Sequence, residues 1–344
     1  MNKKPRLTIS IPTYNRSKYL GDTLRQLHSE LAGCERGEVE LIVSDNASPD
    51  ETETVVKGFI NQGLALRYIR NMQNIGSDAN ISQCFNLAQG NYVLILGDDD
   101  LFVDGGLSEL LDELSVAEYG VACLRAYGFD HDFRKEYPGE GGKHKLHNNA
   151  GSFLADIGPL MTFISGCVIN KSLLRGVNAN DYCGENLVQV HLVIRAAVKA
   201  KQNLLINRYM IACKRNNSGG YDFAKVFVEY VGSILDRYTG QGLTRKDVLN
   251  IERKFIISFF PFYLMKQRYY LQGDIATAYS QFKRRYGDRL SFYIWLYPIL
   301  KSPRWFAVLW GAFATFVGRV LNGDFVRGLF FLKDKIHQLL LRAN

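Results

Sequence analysis

The chain has 344 residues, 47% hydrophobic and 22% charged, a balance that excludes a disordered protein and provides for one large domain or two smaller ones. Its formal charge of +8 is unevenly placed: residues 245–344 hold 17 Lys and Arg against 6 Asp and Glu, so the remainder is slightly acidic. The six cysteines stand singly, at 34, 84, 123, 167, 183 and 213, which excludes paired-cysteine zinc and redox motifs and points to a reduced, cytosolic setting.

The opening MNKKPRLTISIP holds an apolar run too short for a signal peptide, so export is not expected. Leu7 to Pro12 alternates and is β-branched, predicting a strand. PTYNRS then turns into a helix marked by Tyr19, Leu20, Leu24, Leu27 and Leu31. A second strand, Val39 to Val43, ends in Ser44, Asp45 and Asn46 and is followed by a helix from Asp50 to Ile60 behind the acidic turn SPDE. Leu66 to Ile69 predicts a third strand, and Ser77 to Ala88 a helix with Ile81, Cys84, Phe85 and Ala88 on one face. Tyr92 to Leu96 is the fourth strand. Strand and helix alternating at this spacing predict an α/β fold with a doubly wound, mostly parallel sheet.

The fourth strand runs into three acids, as YVLILGDDDLFVD. Asp98, Asp99 and Asp100 thus fall at a carboxyl edge, where open α/β sheets bind ligands. Carboxylates this close raise one another's pKa unless something positive neutralises them. Their hard oxygens suit Mn2+ or Mg2+, ions that also take oxygens from a diphosphate. The alternative is a solvated turn leading into a helix N-terminus.

Taken together, ISIPTYNR, VSDNASPDET, NIGSDANISQCFNLAQGNY and LGDDD, in this order between Leu7 and Leu111, resemble the nucleotide-sugar-binding half of glycosyltransferase family 2, which has the GT-A fold. Neither a Walker nor a Rossmann glycine fingerprint competes. The resemblance implies that Pro12, Thr13 and Asn15 shape the turn under the nucleotide base and that Asp45 accepts a hydrogen bond from it. A capping role is the other reading of Asp45. Asn74 and Asp78 would line the same edge near base or ribose. Gly97 stands where the family usually has the first Asp of its acidic motif; Asp98 is assigned towards the ribose, and Asp99 or Asp100 to the ion. That ion would neutralise charge on the departing nucleoside diphosphate.

Val121 to Ala126 predicts a further strand and Phe129 to Asn149 a polar loop, either solvated or a flap over the donor. Its His144 and His147 lack companions at metal-ligand spacing. Met161 to Asn170 resembles the family's acceptor-side strand. Leu187, Val190, His191, Ile194, Ala197 and Val198 then mark a helix, with Glu185 at its start and His191 reading as a core histidine. The family commonly carries Glu-Asp here, one of them the general base. An amide cannot take a proton, so Glu185, followed by Asn186, is the implied base and Asp181 the reserve; a helix-start acid is the other reading. After a strand from Leu204 to Ala212, KRNNSGG sets Arg215 beside glycines, which suits a diphosphate or an ordinary surface turn.

From Val248 the pattern is helical and dense in aromatics. Trp305 to Gly318 is uncharged between Arg304 and Arg319, shorter than the ~20 residues a bilayer crossing needs. It reads as a helix lying in the interface of an anionic membrane. The alternative is a helical subdomain that buries the aromatics against the catalytic core or a second subunit. Nucleic acid is not expected, because aromatics and cations are not interleaved.

The expected organisation is a nucleotide-sugar-binding half over 1–125, an acceptor half over 126–244 and a membrane-associating helical region over 245–344. The expected activity is metal-dependent transfer of a sugar from a nucleoside diphosphate to a hydroxyl of a lipid-linked glycan, at the inner face of the cell membrane. Within the family the motifs and the NNSGGYD stretch look most like bacterial O-antigen enzymes of the abequosyltransferase kind. The rivals are a soluble transferase acting on a free sugar or protein, and a non-catalytic nucleotide-sugar-binding module that docks on membrane.

Overall fold

The computed structural model describes residues 4–139, 141–215 and 222–321. They form two compact units, one of residues up to 215 with 238–244, the other of residues 222–237 and 245–321. The boundary expected after residue 125 falls inside a strand, Val121–Phe129.

In the first unit the alternation runs β1 (Leu7–Thr13), α1 (Ser17–Leu31), β2 (Val39–Asp45), α2 (Thr52–Asn61), β3 (Arg67–Arg70), α3 (Ser77–Leu87) and β4 (Tyr92–Ile95). Period-2 placement puts Leu7, Ile9 and Ile11 of β1 in the core, where they meet Leu20, Leu24 and Leu27 of α1. β3, β2, β1 and β4 pair in parallel, in that order. The chain then continues through β5 (Asp100–Phe102), α4 (Gly106–Val116), β6 (Val121–Phe129), β7 (Lys145–His147), α5 (Ala150–Ile157), β8 (Cys167–Asn170), α6 (Val188–Lys199) and β9 (Asn203–Lys214).

The sheet continues from β4 through β8, β6 and β9 to β5, with β7 also on β9. Here the pairing becomes mixed: β8 is antiparallel to both β4 and β6, and β5 antiparallel to β9. The α/β, GT-A type of sheet is therefore present, with its parallel part confined to the nucleotide-side strands and the β6–β9 pair.

Two expectations are corrected. Of Met161 to Asn170 only Cys167–Asn170 is a strand; two 3-10 turns, Gly158–Thr162 and Ile164–Gly166, precede it. Gly158 takes φ 48 and is followed by Pro159, so α5 stops there and the chain turns instead of extending. The polar loop is not simply solvated. Phe133 joins Tyr127 and Tyr209 in a small second core, Glu136 accepts backbone N–H groups from residues 130 to 132, and β7 pairs with β9. His144 and His147 instead face Glu113 and Asp156.

The second unit is helical: α7 (Val231–Tyr238, its last residue in the first unit), α8 (Arg245–Ser258), α9 (Phe260–Tyr270), α10 (Ile275–Tyr286), α11 (Leu290–Trp295), α12 (Tyr297–Lys301) and α13 (Arg304–Leu321). Its aromatics divide between core and surface. Phe255, Phe260, Phe282, Tyr286 and Phe292 are buried, with Phe260 edge-on to Phe282 at 4.9 Å. Within this core Glu252 is 1% exposed and is held between Arg285 and Arg289, at 2.7 and 2.5 Å. α13 turns its small residues Ala307, Gly311 and Ala314 inward, where a Cβ on Gly311 would come within 2.6 Å of Met265 in α9. Trp305, Leu309 and Phe313, four residues apart, face outward and are more than half exposed.

Candidate active site

β4 ends at Ile95, and the acidic turn follows at the carboxyl edge of the parallel strands. Asp98 is nearly buried; one oxygen accepts the Thr13 hydroxyl at 2.7 Å and the other meets Arg16 Nη1 at 2.9 Å. Asp99 meets Nη2 of the same guanidinium, also at 2.9 Å. Asp100 opens β5 and accepts the Ser165 hydroxyl at 2.5 Å, while Ser165 itself accepts the N–H of Gly97. A Cβ at Gly97 would lie 2.7 Å from the Asp100 carboxylate, so an Asp at position 97 would require Asp100 to turn.

Burial pushes the Asp98 carboxyl up to about 6, against the opposing pull of Arg16 and Thr13. Burial, and then the neighbouring Asp99, pushes Asp100 up to about 8. Ionising the trio thus leaves buried negative charge that one guanidinium does not balance. Such a set of hard oxygens, with surplus charge at a ligand edge, fits Mn2+ or Mg2+. Among the described residues no three acidic, His or Cys side chains form a ready-made cage. The ion would therefore be held by Asp99 or Asp100 with oxygens of the donor, supplying charge neutralisation at the leaving diphosphate.

Arg16 and Ser165 are the residues that sequence reasoning missed here. Arg16 was visible as the last letter of PTYNR beside an acidic trio; Ser165 carries no local signal. We expect Arg16→Ala to lower stability by about 1–3 kcal/mol, because it strips the counter-charge from an almost buried carboxylate. Mn2+ should then raise the variant's melting temperature more than that of the unaltered protein. Equal shifts in a melting assay would show that cation and Arg16 do not compete for the same carboxylates.

At the base edge the predicted residues come together, but as a braced framework. Asp45, fully buried, accepts the N–H of Ser48 at 2.8 Å and the Tyr68 hydroxyl at 2.6 Å, with Arg70 Nε 3.4 Å away. Pro12 and Thr13 end β1, and Asn15 takes the left-handed conformation, φ 55, while its N–H reaches Ser48 Oγ at 2.9 Å. Asn74 accepts from Asn46 Nδ2 and from the N–H of Gly76, and Asn46 also accepts from Asn71.

Asp78, in the first turn of α3, reaches across the sequence to the acceptor side. One of its oxygens accepts the N–H groups of Gly184 and Asn186, at 2.7 and 2.9 Å. Gly184 (φ 113) and Asn186 (φ 56) are both left-handed, so the loop presents Glu185 between two unusual backbone positions. Asn tolerates that conformation better than most residues, a local reason for an amide at 186. Glu185 Oε2 lies 3.0 Å from His191 Nε2. Asp181 is exposed in the 3-10 turn Ala179–Tyr182.

Arg215 Nη1 is paired with Asp130 at 2.6 Å and Glu136 at 3.1 Å, carboxylates of the folded loop. The rest of the glycine-rich stretch, 216–220, lies outside the described residues.

The family model "Glycosyl transferase family 2" matches residues 8–175. Abequosyltransferase RfbV of Salmonella typhimurium is 35% identical over 105 residues, 30% of this chain and 31% of that protein. The GalNAc(5)-diNAcBac-PP-undecaprenol beta-1,3-glucosyltransferase of Campylobacter jejuni is 28% identical over 198 residues, 55% of this chain and 60% of the relative. The chain thus spans from about three-tenths to three-fifths of the length of these curated relatives. Among solved structures, residues 1–349 of S. aureus TarS in complex with UDP-GlcNAc superpose with a TM-score of 0.64 at 16% identity, over 93% of this chain and 92% of that one. Mannosyltransferase PcManGT of Pyrobaculum calidifontis, in complex with GDP-Man and Mn2+, gives 0.52 at 16%, over 93% and 87%. At that identity the structural likeness shows the fold. Residues 8–175 thus match the model of glycosyltransferase family 2, and the mixed α/β sheet that carries those motifs has the GT-A type of fold.

Proposed function

We propose that the protein transfers a sugar from a nucleoside diphosphate to a hydroxyl of a lipid-linked glycan, with a divalent ion at the acidic turn and Glu185 as general base. The observation that carries this reading is the acidic turn itself: three carboxylates at the sheet's ligand edge, two of them buried, with Arg16 bridging a pair. Glu185 would take the proton of the acceptor hydroxyl as its oxygen attacks the anomeric carbon. The bond from that carbon to the diphosphate breaks, and the electron pair leaves with the nucleoside diphosphate.

The glycan class rests on the relatives. One is an abequosyltransferase and another acts on an undecaprenol-linked glycan by its name, so a bacterial surface polysaccharide such as O-antigen is the finer reading. The direct test is thermal melting with UDP, CDP, GDP and dTDP in Mn2+, followed by nucleoside diphosphate release from sugars of whichever nucleotide stabilises. Stabilisation by one nucleotide and release of that diphosphate support the reading. Tight binding without turnover on any nucleotide sugar overturns it in favour of a silent binding module.

Membrane attachment at the cytoplasmic face belongs to the same proposal. α13 has 18 residues, about 27 Å at 1.5 Å each, and its small-residue face is packed on α9. The exposed stripe Trp305, Leu309, Phe313, with Arg304 and Arg319 at its ends, suits a helix lying in the headgroup boundary. The protein is expected to float with anionic vesicles, and Trp305→Ser with Phe313→Ser to leave most of it in the soluble fraction. Unchanged flotation of that double variant would show that attachment lies elsewhere.

A further inference from the structure

Glu185 does not stand alone in its loop. His191, one turn into α6 and fully buried, lies between two tyrosines: Tyr182 stacks on it at 4.6 Å with planes 12° apart, and Tyr238 is tilted at 5.8 Å. Both ring nitrogens are engaged, Nε2 with Glu185 Oε2 at 3.0 Å and Nδ1 with the Tyr238 hydroxyl at 3.1 Å. From sequence this residue reads as a satisfied core histidine, and a fully buried imidazole needs a partner for each nitrogen. What sets this one apart is that one of the partners is the loop carboxylate Glu185.

We infer that His191 is a positioning residue for the general base, and that Tyr238 sets its tautomer. This rests on the assignment of Glu185 as the base. An ionised carboxylate can only accept, so Nε2 must carry the proton that it donates to Glu185. In a neutral ring Nδ1 is then an acceptor, and the Tyr238 hydroxyl donates to it. The line Tyr238 to His191 to Glu185 thus runs one way, each group fixing the next. Its effect on chemistry is twofold. It fixes where one carboxylate oxygen points, and with it the direction from which the other meets the acceptor hydroxyl. Asp78 holds the backbone on either side of Glu185, so backbone and side chain are restrained from different elements. When the acceptor's proton moves to Glu185, nothing is added to or lost from His191.

The test compares His191→Phe, which keeps a ring between the tyrosines but no donor, with His191→Gln, whose side-chain amide can donate again. The rate read is nucleoside diphosphate release in Mn2+, with water as acceptor, from the nucleotide sugar selected by the melting screen. The expected result is kcat at least tenfold lower in the Phe variant with donor KM within twofold, and recovery to within threefold of the starting rate in the Gln variant. Glu185→Gln serves as the reference. Loss there with an undiminished rate in His191→Phe overturns the inference alone; retained turnover in Glu185→Gln overturns the base assignment beneath it. If His191→Phe fails to fold, Tyr238→Phe decides: a several-fold fall in kcat is expected, and an unchanged rate overturns the inference. A readout independent of turnover is the 15N spectrum of the labelled histidines, where His191 should show the Nε2–H tautomer. An Nδ1–H form overturns the inference.

Discussion

Asp99→Ala and Asp100→Ala should each reduce turnover by about a hundredfold or more, the usual scale for removing a group that stabilises charge in the transition state. The two are not equivalent in structure. Asp100 is buried and holds the Ser165 hydroxyl, so its loss also leaves a buried donor unpaired, at a cost of about 1–3 kcal/mol. Asp100→Asn keeps an oxygen for Ser165 and separates the two effects: folding should recover and turnover should not. Asp99 is the more accessible of the pair and shares Arg16 with Asp98, so Asp99→Ala should melt close to the unaltered protein while losing its response to Mn2+. The measurement is nucleoside diphosphate release across a Mn2+ titration, beside a melting curve for each variant. Full activity in both Ala variants would refute the metal assignment.

The second large effect concerns the helical unit. Glu252→Ala should cost that unit about 3–5 kcal/mol, the scale for breaking a buried ion pair by deleting one partner. The carboxylate sits among Arg285, Arg289 and the buried ring of Tyr286, and without it two guanidiniums are left facing each other inside the unit. Arg285 keeps Asp236, its other partner, which places the loss towards the low end of that range. A chain of two units need not unfold in one step, so the measurement is hydrogen exchange resolved over α8 and α10. Protection should fall there, while nucleotide-induced stabilisation of the first unit persists. A change below about 1 kcal/mol would mean that water reaches the two arginines.

The nucleotide-side half was legible because its signals are local. Period-2 runs, helical faces and turn residues place β1, α1, β2, α2, α3 and β4 within a few residues of expectation. The antiparallel insertion was not, since β5 and β7 are only three residues long and take their partners from distant β9. The site shows the same division. The acids announced themselves by crowding, but what holds them is remote in sequence: Thr13 and Arg16 are more than 80 residues from the acidic turn, and Ser165 is 65 residues from Asp100. A motif marks Asp45 and Asp78 as ligand-edge acids but says nothing of the Tyr68 hydroxyl and Ser48 N–H that Asp45 accepts, or of the two N–H groups that Asp78 accepts. In the C-terminal helices, spacing could not say which aromatics face inward. Density of Phe and Tyr reads alike for a core and for a lipid-facing stripe, and the chain contains both.

Because Asp78 ties α3 to the backbone around Glu185, and Ser82 and Asn86 of the same helix tie it to residues 178–183, the segment that the family model covers and the segment just beyond it are mechanically joined. Anyone exchanging residues 176–215 with those of a relative, to redirect which hydroxyl is glycosylated, would have to import a loop shaped for that carboxylate. A graft lacking left-handed backbone at 184 and 186 would lose the Asp78 tether beside Glu185, and its failure would say nothing about acceptor choice.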